Sequence, residues 1–94
     1  MFQVLILNSR PKSSEEIIFQ GQAKSVSLPG SDGEFEVLNF HKPIMSRLKK
    51  GVIVVDNTKE LPVAGGVVKM AQQRLVAIVD LPNRVIGGLA YGIS

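Results

Sequence analysis

Apolar residues in this chain come in short bursts, most of them at every second position. Val26 and Leu28 alternate with Ser25 and Ser27, and Glu34-Phe35-Glu36-Val37 repeats the pattern. Such a period belongs to a half-buried strand. Between these bursts, Pro29 lacks a ladder donor and predicts a strand end. Gly30-Ser31-Asp32-Gly33 follows as a dense turn signal with two positions free to take positive φ. The stretch therefore predicts strand, tight turn, strand. Phe2 to Leu7 is apolar almost throughout, which predicts a central strand.

Further strands are predicted over 15–20 through Ile17, Ile18 and Phe19, then over 22–28 after a bend at Gly21. Others follow at 43–48, in the β-branched run 51–55, at 61–64 and 67–70 joined through Gly65-Gly66, and at 74–79. Polar turns separate them at 8–14, 49–51, 56–59 and 71–73. About nine short strands at even spacing argue for an all-β sandwich or barrel. No window carries a capped 3.6-residue stripe, and Ile17-Ile18 with Gly21 weigh against a helix at 15–24. The expected division is a β-domain over 1–80 and a short Gly-rich tail over 81–94. Gly87-Gly88 disfavours a free helix in that tail.

Composition narrows the function classes. Ninety-four residues make one domain. No cysteine is present, which removes a disulfide framework and any thiolate metal site. A net charge of +3 is mild for a dedicated nucleic-acid binder. No apolar run reaches membrane-spanning length, and the start lacks a secretory pattern. The expectation is a cytoplasmic, bacterial, soluble domain. His41 is the single histidine and has no visible nucleophile or orienting partner. Neither Gly65-Gly66 nor Gly87-Gly88 opens a phosphate loop, and Asp32-Gly33-Glu34 lacks the spacing of a calcium loop. No cofactor, metal or catalytic residue is expected. Lys42, Arg47, Lys49 and Lys50 with Phe40 give an alternative, a small basic β-barrel binding single-stranded nucleic acid. The few scattered aromatics speak against it.

Several motifs resemble one family in order and spacing. Ser25-Val26-x-Leu28-Pro29-Gly30-x-x-Gly33-Glu34-x-x-Val37-Leu38, followed by His41-x-Pro43, is similar to the amino-terminal domain of the F-type ATP synthase epsilon subunit. Phe2 to Leu7, Ile18 to Gly21, Lys49 to Gly51, Val63 to Lys69 and Leu75 to Val79 resemble the same family in sequence. The resemblance implies a flattened ten-stranded β-sandwich on the central rotor. It implies two partners and no chemistry of its own. The gamma subunit would contact His41, Lys42 and Pro43. The polar loops of the membrane c-ring would contact Ser31, Asp32, Gly33 and Glu34. The domain would be peripheral to the membrane through its partners only, on the cytoplasmic side of the bacterial inner membrane, with no nucleic-acid role.

The chain departs from the family pattern around one stretch. Asn39-Phe40 replaces Pro-Gly, Glu36 replaces a small residue, Lys42 replaces alanine and Lys50 replaces proline. Many members continue into a carboxy-terminal helical hairpin, roughly forty residues for two ordinary helices and a turn. That hairpin brakes ATP hydrolysis and in some members binds ATP. The expectation for these 94 residues is coupling without hairpin-type inhibition.

Overall fold

The computed structural model describes residues 1–10 and 16–82, and within them nine strands and no helix. The strands are β1 (Phe2–Asn8), β2 (Ile17–Ala23), β3 (Ser25–Gly30), β4 (Gly33–Leu38), β5 (Ile44–Leu48), β6 (Gly51–Val55), β7 (Lys59–Val63), β8 (Gly65–Ala71) and β9 (Arg74–Asp80). The expected strand start at Glu15 and the tail from residue 83 lie outside the described residues.

The sheet order is β2-β1-β9-β8-β5-β3-β6-β7, with β4 on the side of β3. β1 and β9 pair in parallel; every other pairing is antiparallel. The join between β5 and β3 is a single residue pair, Gly30 with Leu48. At that point one sheet becomes two layers, β2-β1-β9-β8-β5 and β4-β3-β6-β7. Their inner faces share one core, in which Phe2, Ile6, Met70 and Leu75 of the first layer meet Leu28 and Ile53 of the second. Each such side chain contributes roughly 1.5–3 kcal/mol by leaving water. No polar or charged residue is buried among the described residues, so the core needs no internal hydrogen-bond partners. This is the all-β class expected from the alternation, with nine strands among the described residues where the family resemblance implied a flattened ten-stranded sandwich. Edge strands β2 and β7 approach each other where the Lys59 ammonium sits 5.6 Å from the centre of the Phe19 ring. A lysine at an edge also discourages pairing with another chain.

Three local expectations are corrected. Pro29 does not end β3; it pairs with Glu34, and the strand runs on to Gly30. On its other side, β3 has left β6 after Ser27 and meets β5 only at Gly30. The missing donor of Pro29 thus falls in a gap where no ladder bond is needed. Gly21 does not bend the chain, because the Phe19 ring lies over it, 3.4 Å from where a Cβ would stand. Aromatic cover of this kind stabilises a glycine within a strand. Gly65 and Gly66 do not join two strands but begin β8, and the break falls at Ala64. Gly66 has φ of 149°, and a Cβ there would collide with the Ile78 carbonyl oxygen of β9. Tight strand packing explains that glycine.

Candidate docking surfaces

The β3–β4 hairpin reverses through Ser31 and Asp32, because Gly30 pairs with Gly33. Gly30 has no room for a side chain: a Cβ would stand 2.7 Å from the Gly33 carbonyl oxygen and 2.8 Å from the Phe35 ring. The ring therefore seats beneath the turn and braces it. Two backbone bonds tie the hairpin to the chain around β5. Ser31 N–H donates to the Arg47 carbonyl at 2.9 Å, and Lys49 N–H donates to the Pro29 carbonyl at 2.8 Å. Ser31, Asp32, Gly33 and Glu34 are all exposed. The tip is thus a braced turn that presents two carboxylates to solvent.

At the far end of β4 the chain turns into β5 through Asn39 to Pro43. His41 N–H donates to the Leu38 carbonyl at 3.2 Å. Phe40 takes a left-handed conformation, φ 63°, and its ring is 82% exposed. Phe40 N–H donates to Gln73 Oε1 at 2.9 Å, and Gln73 Nε2 donates to Asn39 Oδ1 at 2.6 Å. One glutamine side chain therefore clasps this loop to the β8–β9 hairpin. That hairpin is itself left-handed at both central residues, Gln72 (φ 53°) and Gln73 (φ 62°), between paired Ala71 and Arg74. These are the angles of a type I′ turn, which ordinarily uses Asn-Gly. His41 is half-buried with Nδ1 2.7 Å from the Lys42 carbonyl, while Lys42 and Pro43 are exposed.

Ser31 to Glu34 thus form one surface and His41 to Pro43 another, and the two do not meet. From Glu34 to the end of β4 at Leu38 is four strand rises, roughly 13 Å. The outer faces of the two layers also differ. Val67, Ile78 and Met45 stand exposed on the first, beside Arg47, Lys69 and Arg74. Glu34, Glu36 and Glu60 stand on the second. Among the described residues, no group of three or more His, Cys, Asp or Glu side chains could hold a metal. The arrangement presents two separate exposed surfaces, one at each end of β4.

Reading the sequence missed the clasp between Phe40 and Gln73. The available signal was Phe40 itself, at the place where the resembled family has glycine. A glycine there marks a positive φ that the replacing residue must also adopt.

The family model described as the β-sandwich domain of the ATP synthase delta/epsilon chain matches residues 12–81. ATP synthase epsilon chain 2 of Ralstonia nicotianae is 36% identical over 76 residues, covering 77% of this chain and 55% of that protein. The ATP synthase epsilon chain of Bordetella avium is 35% identical over 76 residues, covering 77% and 54%. The chain spans about half the length of the curated relatives it matches. In fold it is similar to a chain in the central stalk and c-ring structure of Tetrahymena thermophila mitochondrial ATP synthase, with a TM-score of 0.62 at 15% identity, covering 83% of this chain and 62% of that one. With most of its strands inside the matched span, the chain belongs to the ATP synthase delta/epsilon family, through its β-sandwich domain.

Proposed function

We propose that this domain is a non-catalytic rotor element of an F-type ATP synthase, clamping the gamma subunit to the c-ring so that ion-driven rotation reaches the catalytic head. The observation that carries this reading is the separation of the two exposed surfaces by the length of β4. A clamp needs two faces that bind at once without competing. The Ser31–Glu34 tip faces the polar loops of the ring, where Asp32 and Glu34 meet basic side chains. His41, Lys42 and Pro43 face gamma. Exposed ion pairs contribute only about 0–1 kcal/mol each, so shape carries much of the docking. The domain lies on the cytoplasmic side of the bacterial inner membrane and reaches the membrane through its partners alone. The sandwich by itself exerts no hairpin-type brake on hydrolysis.

Co-purification with the gamma subunit of the same source tests the reading. A one-to-one complex of folded chains supports it, and folded protein that leaves gamma unbound refutes it. The brake is tested by adding the 94 residues to an epsilon-depleted enzyme. Hydrolysis should persist, and strong suppression relieved by ATP would contradict that part of the proposal.

A further inference from the structure

We infer that Phe40 is the anchor of the gamma-facing surface, inserted as a preformed apolar plug into a recess rimmed by carboxylates on the partner. This inference rests on the rotor-subunit reading and adds to it a contact that the turn sequence alone does not supply.

Three observations lead to it. First, the Phe40 ring is 82% exposed in a left-handed turn, so it gains almost nothing from packing against the described residues. A left-handed backbone is unfavourable for a bulky residue, and strain of this kind gathers at functional positions. Second, the strain is held deliberately. Gln73 bonds both the Phe40 N–H and the Asn39 side chain, and Gln73 and its neighbour Gln72 are left-handed as well. A turn held in one backbone conformation loses little freedom on binding, and buried aromatics dominate interface energetics. Third, the loop carries cations of its own: Lys42 lies two residues on, and Arg74 follows Gln73. Met45, 75% exposed, pairs with Lys69 and extends the apolar ground along β5. The complementary partner is therefore apolar at the centre and acidic at the rim.

The experiment measures the affinity of the full chain for purified gamma subunit, with F40G, F40Y, Q73A and the charge reversal K69E beside the unaltered protein. Glycine suits the left-handed turn, so F40G should melt no lower than the unaltered chain. It should bind gamma about 30-fold more weakly, the loss typical of an interface anchor. F40Y should retain affinity. Q73A should weaken binding by releasing the loop, and K69E should slow association in a salt-dependent way. Unchanged affinity for F40G overturns the inference while leaving the rotor-subunit reading intact. Failure of the unaltered chain to bind gamma overturns both. A single-stranded oligonucleotide serves as the rival probe: binding to it that depends on Phe40, with gamma binding indifferent to Phe40, also overturns the inference.

Discussion

At one end of β4 the chain reverses through Ser31 and Asp32, flanked by Gly30 and Gly33; at the other it turns through a left-handed phenylalanine held by a glutamine. The first turn keeps conformation and recognition apart. Its glycines make the geometry, while Asp32 and Glu34 point outward and support nothing inside the fold. The second turn merges them. Phe40 has the exposed side chain and also the strained backbone, and Gln73 is at once a turn residue and a clasp. Substitutions of the tip acids should therefore leave folding untouched, whereas at the other end F40G relieves the backbone as it removes the ring, and Q73A loosens turn and clasp together.

The sharpest way to break this comparison lies at the tip end of the layer, where Gly66 pairs with Leu48. Gly66→Ala puts a methyl into the Ile78 carbonyl at a φ of 149°, so it should cost about 3 kcal/mol or more, read from denaturant unfolding. Gly30→Ala should cost roughly 1–3 kcal/mol, because the Phe35 ring must leave its place beneath the turn. Gln73→Ala removes two side-chain hydrogen bonds that are partly open to water, and should cost about 1 kcal/mol. The smallest effect belongs to the acids. Asp32→Asn with Glu34→Gln should leave stability within about 0.5 kcal/mol while weakening attachment to c-ring preparations, measured by co-sedimentation. A large stability loss from the acids, or none from Gly30, would erase the contrast between the two ends.

Much of the architecture is legible in the residues. The alternation in 25–28 and 34–37 yields β3, β4 and the turn between them, because period-two burial is a local property. The nearly continuous apolar run of β1, broken only by Gln3 before Asn8, marks a strand with neighbours on both sides. What stayed hidden depends on partners distant in sequence. Pro29 is tolerated because β3 changes neighbours beside it, and Gly66 is required because the Ile78 carbonyl of β9 stands against it. Neither fact has a local signature. Asp32 reads as exposed because it lies between two turn glycines, and Glu34 because it falls on the polar side of the alternation; the docking role expected of them came from the family resemblance. The bond from Gln73 to Phe40 joins residues 33 positions apart, and nothing in either segment announces the other.

The parallel pairing of β1 with β9 has a consequence for how the molecule is made. β1, the first of the described strands to be made, lies between β2 and β9, and β9 is the last of them to emerge. Until Arg74 to Val79 has left the ribosome, both β1 and β8 expose an open, apolar edge in the middle of the future sheet. Closing it joins residues about seventy positions apart, a long loop that makes folding slow relative to locally connected folds. Nascent chains stalled before residue 74 should therefore remain open to protease and to chaperones, and release of β9 should seal the gap between β1 and β8.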